Sequence, residues 1–475
     1  MKIAIDFDNT IVDYSELFHK ACLLENVTID KSLSKNEIKI FLKNSNEYEW
    51  PKKWIEVQGR CYGELILESG EEGDFLKVFN YFKSQGFEVE IISHKSKKSL
   101  CGRFNLRESA LKKIKQIGLS EDSIQFFDSF SDKCDYLNRG KFDVVIDDLE
   151  EILAESKTIN FKILFAHYSK DHFALGSWEM IFDLFNFFKK FNFFPTSMTG
   201  LGKSSYILEN QDQRYFFKTF INKQRSLRER VSLSLDIRNY ANVVFQSDHM
   251  LVEEFIEFEK IGHIDQWFCD EYLSFFQKLQ ERRRDIGFMA THGISNEMSY
   301  FANIEGRLIE LQGIVSTSLH ERVRNIFDQI KVKTSINKKS IPRSLCLPDF
   351  FKHNFGRIGN ELLIFDYESF GLDDLARTFL NAVHHLGNTL KREEFLMLID
   401  LFDELSIKDQ QFWNRVVKFY DLIALEWVLI CAKNPENLTK SESLVTIMES
   451  NRDQGLDYWS WNKTVVDLIN ERFSK

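Results

Sequence analysis

Residues 3–12 read Ile-Ala-Ile-Asp-Phe-Asp-Asn-Thr-Ile-Val, and this stretch decides how the first half of the chain is understood. Its short run of β-branched apolar residues predicts a buried strand, which ends on two carboxylates, Asp6 and Asp8. A spacing of two on an extended chain aims both side chains the same way. Outward from it, residues 87–93 (FEVEIIS), 142–147 (FDVVID) and 161–166 (FKILFA) are further apolar runs bounded by polar or turn residues. Stretches of helical period lie between them, among them FLKVFNYFKSQG, closed by Gly86, and RESALKKIKQIGL, closed near Gly118. Strand alternating with helix predicts a doubly wound α/β domain, whose ligand site lies outside the carboxyl ends of its strands.

The second predicted strand ends at Ser93 and the third in Asp147 and Asp148, so three strand ends bring four carboxylates and a hydroxyl to one edge. Like charges gathered so closely are costly without a cation among them, and hard carboxylate oxygens suit Mg²⁺. One carboxylate can then act as a nucleophile forming an aspartyl-phosphate, while its neighbour two residues on protonates the leaving group and later activates water. Ser93 and a lysine would hold the phosphoryl oxygens. IAIDFDNTIV, the IISH strand, Lys133 in SFSDKCDYL and VVIDD resemble, in this order, the four motifs of the haloacid dehalogenase superfamily over roughly residues 1–190. The resemblance implies Asp6 as nucleophile, Asp8 as acid/base, Thr10, Ser93 and Lys133 as phosphate holders, and Asp147 and Asp148 completing a Mg²⁺ site with Asp6 and Asp8. It also implies a phosphatase or phosphotransferase with a small helical cap at about 14–85. Lys95 and Lys97 follow Ser93 closely and stand as alternatives to Lys133.

After Asp171 the text changes. A helix-like WEMIFDLFNFFKKF leads to Pro195, then two strand-like runs flank a polar turn at Glu209–Gln213, which places a domain boundary near 191–196. From about 265 the pattern is mostly helical, apart from a hairpin expected at 301–315 and strand-like LLIF at 362–365. Gly200-Leu201-Gly202-Lys203-Ser204 carries the end of a P-loop signature, but Ser197 stands where its first glycine belongs and a hairpin follows instead of a helix. A glycine-rich turn heading a hairpin resembles the phosphate-covering lid of protein-kinase-like folds. On that resemblance Gly200 and Gly202 cover nucleotide phosphates, Lys218 meets them, Glu229 pairs with Lys218, and LVEEFIEF at 251–258 joins two lobes.

LPDFFKHNF sets Asp349 and Asn354 five positions apart, and the LLIF strand delivers Asp366. DFFKHNF and LLIFDYESFGLDDLARTF together resemble the aminoglycoside phosphotransferase and choline kinase-like family over about 196–475. This implies a two-lobed α+β protein-kinase-like domain that phosphorylates a small hydroxylated acceptor from ATP, with Asp349 as base and Asn354 and Asp366 on Mg²⁺. The family's usual His-Gly before the catalytic Asp is Leu347-Pro348 here. His353 is a candidate for the displaced histidine's place, and His384 and His385 are candidates for the acceptor pocket.

Composition bounds these readings. At 475 residues, 43% hydrophobic and 28% charged, with only 21 Gly and 5 Pro, the chain should form two to four packed domains without low-complexity linkers. A net charge of -10 argues against a nucleic-acid binder. Seven scattered cysteines without a C-x-x-C pair indicate neither a disulfide framework nor a zinc site, and fit a reducing cytoplasm. The N-terminus has no signal-peptide pattern, and no long uncharged apolar run predicts a membrane span. The expected partners are a small phosphorylated metabolite and a small hydroxylated acceptor. The two halves together predict a bifunctional Mg²⁺-dependent phosphatase and kinase, in a setting such as surface polysaccharide precursors. One alternative is a phosphatase regulated by a silent kinase-like module. The other is nucleic-acid end repair, which the acidity and the failed P-loop spacing disfavour.

Overall fold

The computed structural model describes the chain except residues 71–72, 168, 170–171, 196, 201–203, 221, 236–241, 338, 435–436, 457–464, 466 and 470–475. It is an α/β protein of two compact units, Met1–Lys223 with Asn242–Phe255, and Gln224–Ala241 with Ile256–Lys475.

The first unit contains a six-stranded parallel sheet in the order β3-β2-β1-β4-β5-β6. Its strands are β1 (Lys2–Asp6), β2 (Glu88–His94), β3 (Ile124–Phe127), β4 (Val144–Asp147), β5 (Phe161–Leu164) and β6 (Phe173–Ala174). Alternate residues feed two cores: Ile3, Ile5, Ile91 and Ile146 pack on one face, and Ala4, Ile92, Val145 and Leu164 on the other. Helices Phe75–Ser84, Leu106–Ile117 and Trp178–Phe191 cover the first face, and Phe130–Arg139 and Glu150–Glu155 the second. β2 and β4 flank β1 on opposite sides, so the winding reverses beside β1, where open α/β sheets bind ligands. The apolar pattern does not announce β3, which is half exposed, or β6, which has two residues. Between β1 and β2 the chain forms helices Leu17–Leu24, Lys35–Asn44 and Lys52–Tyr62 before Phe75–Ser84 joins the sheet.

A second, antiparallel sheet follows, ordered β10-β11-β9-β8-β7, from β7 (Ser197–Gly200), β8 (Ser205–Glu209), β9 (Arg214–Thr219), β10 (Val243–Gln246) and β11 (Met250–Glu254). The break between compact units falls beyond this sheet and not near 191–196. The cause is the Phe-rich helix Trp178–Phe191, which is apolar on two sides. Phe185 and Phe188 face the parallel sheet's core, while the Phe187 ring meets Tyr215, Phe217 and Phe245 at 5.3, 5.0 and 5.9 Å.

The second unit is mainly helical, built on Gln266–Glu281, Glu297–Leu311, Thr317–Lys333, Leu375–His384, Arg392–Leu405, Phe412–Ala432 and Leu438–Asp453. Its short strands are β12 (Glu259–Lys260), β13 (Ser344–Cys346), β14 (Phe355–Ile358), β15 (Glu361–Ile364) and β16 (Gly371–Asp373). The hairpin expected at 301–315 is instead helix Glu297–Leu311: Asn296 caps it through the Ser299 amide, and Tyr300, Ile304, Leu308 and Leu311 bury at helical spacing. The hairpin here is β14–β15, turning at Gly359 with φ of 58°. Among the described residues no helix is long and apolar enough to cross a membrane.

Candidate functional site

The segment after β1 folds back on itself, with the Ile11 and Val12 amides both donating to Phe7 O and Asn9 held at φ of 57°. Trp178 Nε1 pins the turn by donating to Thr10 O at 2.9 Å. The turn leaves Asp6 at the strand end and Asp8 just beyond it, next to the carboxyl ends of β2 and β4. Lys133, on helix Phe130–Arg139, sends its buried ammonium to Asp6 Oδ1 at 2.5 Å and Asp147 Oδ2 at 2.7 Å. Asp8 accepts from Lys95 Nζ at 2.7 Å and Tyr14 Oη at 2.6 Å on one oxygen, and from Ser93 Oγ at 3.1 Å on the other. Asn9 Nδ2 donates to Asp148 at 3.0 Å. Thr10 Oγ1 is buried without a hydrogen-bond partner among the described residues.

Burial pushes the Asp6 carboxyl well above its usual range, against the pull of Lys133 and with Asp147, Asp148 and Asp8 adding to the rise. Asp147 is raised for the same reason, and burial with Asp147 beside it lifts Asp148 to about 6. Asp8 goes the other way: burial opposes its charge, but Lys95 and the three hydrogen bonds hold it below the ordinary carboxylate range. Four carboxylates thus share two ammoniums. One oxygen each from Asp6, Asp147 and Asp148 lie within 4.8 Å of one another, a donor set that fits a hard divalent cation. Asp8, expected among the metal ligands, is outside this cluster and engaged by Lys95 instead.

Both candidate lysines therefore reach the site, Lys133 on the Asp6 side and Lys95 on the Asp8 side, while Lys97 is exposed. The Lys95 ammonium lies 5.7, 5.8 and 5.0 Å from the rings of Phe7, Tyr14 and Tyr62, a cation–π enclosure. Sequence reasoning missed Tyr14 and Tyr62, since neither belongs to a spaced motif. The one available signal was the i, i+2 step from Ser93 to Lys95, which keeps both on one side of an extended chain.

The second set of residues is spread over both units. Gly200 ends β7, and Gly202 lies outside the described residues. Lys218 is buried on β9, opposite Leu251 and Ser205, with its ammonium 5.6 Å from the Phe220 ring. Glu229 is buried on helix Lys223–Ser234 and accepts from the Tyr367 amide at 3.2 Å. Asp349 is half-buried. The β14–β15 hairpin carries Asn354 immediately before its first strand and Asp366 just after its second, and the Phe365 amide donates to Asn354 O at 3.0 Å. Twelve positions in sequence thus collapse to one end of a hairpin. Asn354 Nδ2 also donates to Asp349 O at 3.1 Å, joining all three segments.

Asp373 and Asp374, just past this hairpin, are buried in ion pairs, the first with Arg377 at 3.0 Å and the second with Arg415 at 2.8 Å. Their role is to hold the helical body together. His384 is also buried, packed on Tyr420 at 4.5 Å, and burial lowers its pKa to about 3, so it belongs to the core and not to an acceptor pocket.

No protein-family model matches the chain, and no curated protein matches it. Among solved structures, a choline kinase from Cryptosporidium parvum aligns with 55% of this chain and 90% of its own, at 14% identity and a TM-score of 0.41. The gentamicin complex of APH(2″)-IIa aligns with 57% of this chain and 96% of its own, at 16% identity and a TM-score of 0.41. Macrolide 2′-phosphotransferase type I aligns with 57% and 97%, at 11% identity and a TM-score of 0.39. These are likenesses in outline, and they assign no role to any residue of this chain.

Proposed function

We propose that the chain is a bifunctional phosphoryl-transfer enzyme, pairing a Mg²⁺-dependent phosphatase site at the end of the parallel sheet with an ATP-dependent kinase site that phosphorylates a small hydroxylated metabolite. The observation that carries this reading is the convergence of Asp6, Asp8, Asp147 and Asp148 with two buried lysines at the carboxyl ends of three adjacent parallel strands.

In the phosphatase site Asp6 attacks phosphorus, and the ester oxygen leaves with a proton from Asp8, which must first take that proton up from solvent because Lys95 holds its carboxyl low, giving an aspartyl-phosphate. Asp8 then takes a proton from water, whose oxygen attacks phosphorus and breaks the bond to Asp6, releasing inorganic phosphate. Lys133, Ser93 and the Thr10 hydroxyl line the place of the phosphoryl oxygens. Mg²⁺, held by Asp6, Asp147 and Asp148, would supply neutralising charge for the transferred group. In the kinase site Asp349 accepts the proton of the acceptor hydroxyl as that oxygen bonds to the terminal phosphorus of ATP and the bond from that phosphorus to ADP breaks, ADP departing; Asn354 and Asp366 would hold Mg²⁺, which would neutralise the phosphate charge. Opposed reactions on one hydroxyl would only hydrolyse ATP, so the two sites act on different positions or on successive metabolites.

The test is phosphate release and ATP consumption across a metabolite panel by wild type, Asp6→Asn and Asp349→Asn. Each substitution is expected to remove one activity and leave the other. The buried Leu347-Pro348 in place of His-Gly favours a second reading, a nucleotide sensor governing the phosphatase. ATP binding without turnover, unchanged in Asp349→Asn, would establish it.

A further inference from the structure

We infer that His385 is the positioning residue of Asp349, taking over from outside the catalytic loop the place that Leu347 vacates within it. The inference rests on the kinase reading of Asp349 and on four features of the second unit.

The loop bearing Asp349 is stapled to residues 381–388 by side-chain amides. Asn381 Nδ2 donates to Pro348 O at 2.9 Å, and Asn388 Nδ2 donates to Phe350 O at 2.8 Å while its Oδ1 accepts from the Lys352 amide at 2.9 Å. His385 lies between the two asparagines, so the backbones on either side of the pair are fixed.

The ring is oriented. It stacks on Phe351 at 4.0 Å and 17°, and its edge meets Trp427 at 4.4 Å and 63°. Gly387 makes room for this: a Cβ there would come within 2.4 Å of the Phe351 ring.

The tautomer is set. The Gly387 amide donates to His385 Nδ1 at 3.0 Å, so in the neutral ring the proton sits on Nε2. Burial lowers the His385 pKa to about 4, which keeps the ring neutral at ordinary pH.

Nε2 faces Asp349 Oδ1 at 3.9 Å. That is longer than a hydrogen bond, and catalytic contacts of this kind commonly tighten once substrate is bound. His353, the sequence's candidate for this role, stacks on the other side of Phe351 at 4.5 Å and supports the clamp from behind.

The experiment compares full-length wild type, His385→Gln, His385→Asn and Asp349→Asn in ATP consumption with a panel acceptor. Glutamine places an N–H near the Nε2 position, whereas asparagine reaches only as far as Nδ1. His385→Asn is expected to lower kcat about tenfold or more with KM for ATP within about twofold, and His385→Gln to recover most of the loss. Nitrogen-15 NMR of labelled histidine should show the Nε2-protonated tautomer in wild type and a moved His385 resonance in Asp349→Asn. Equal loss in both His385 variants, or a ring protonated on Nδ1, overturns the proposal. If wild type is active and Asp349→Asn is not, yet His385→Asn keeps full kcat, only the proposal falls. If wild type consumes no ATP, the kinase reading falls and takes the proposal with it.

Discussion

Replacing Lys133 by methionine should destabilise the first unit in a way that depends on pH and on divalent cation. Its ammonium is buried and serves two carboxylates, Asp6 at 2.5 Å and Asp147 at 2.7 Å. Methionine keeps most of the stem's volume but leaves four clustered carboxylates with Lys95 as their one remaining ammonium among the described residues. Removing one partner of a buried ion pair typically costs about 3–5 kcal/mol, because the other charge stays behind without compensation. Asp6 and Asp147 already sit above their usual range, and losing Lys133 raises them further. The folded variant then holds protons that its unfolded chain has released, so stability falls as pH rises. The loss should be small below about pH 3, where both states are protonated, and should grow through the unfolded value of about 3.9 until it is complete above the raised folded-state values. Mg²⁺ at a hundred times its dissociation constant should return about 2.7 kcal/mol. Urea denaturation at pH 5 and pH 8, with and without Mg²⁺, measures all of this. A loss equal at both pH values and untouched by Mg²⁺ would refute the reasoning, since it would mean that the lysine contributes packing alone.

Lys95→Met removes the main force holding Asp8 below the carboxylate range, so on the proposed mechanism, where Asp8 must be protonated for the first step, the alkaline limb of the kcat/KM–pH profile for phosphate release should move to higher pH; an unmoved limb would remove Lys95 from the acid/base argument. Phe187→Ala should cost about 3–5 kcal/mol by thermal unfolding, since the ring packs against three aromatic side chains of the antiparallel sheet. Gly371→Ala should cost at least about 1–3 kcal/mol, because φ is 152° and a Cβ would lie 2.5 Å from the Ala290 nitrogen; the same thermal assay checks it.

The carboxylate cluster at the end of the parallel sheet was more legible in the sequence than its surroundings. A parallel strand delivers whatever ends it to one edge, so Asp6, Ser93 and Asp147 could be placed from the apolar runs that precede them. Lys133 comes from a helix, and only motif order pointed to it. Which of Lys133 and Lys95 mattered was not decidable from spacing, because the answer depends on how the turn at 7–12 separates Asp6 from Asp8. The helix at 297–311 was mistaken for a hairpin because its Phe, Ile and Leu residues serve either period when the cap at Asn296 is overlooked. The unit break was displaced for a different reason. A run such as FDLFNFFKKF tells that a helix is buried, but not that two separate sheets bury it.

The chain crosses between the units three times, after Lys223, after Ala241 and after Phe255. During synthesis, residues 1–195 therefore emerge with the Phe187 side of helix Trp178–Phe191 bare, and its cover begins with β9 and is complete only when β10 and β11 have followed. A fragment ending near 195 would carry that aromatic stripe exposed and tend to aggregate, and no single cut yields the first unit intact. The two sites are better separated by point substitution in the whole chain than by truncation. A chaperone that shields Phe-rich helices early would matter more for this protein than its parallel sheet alone would require.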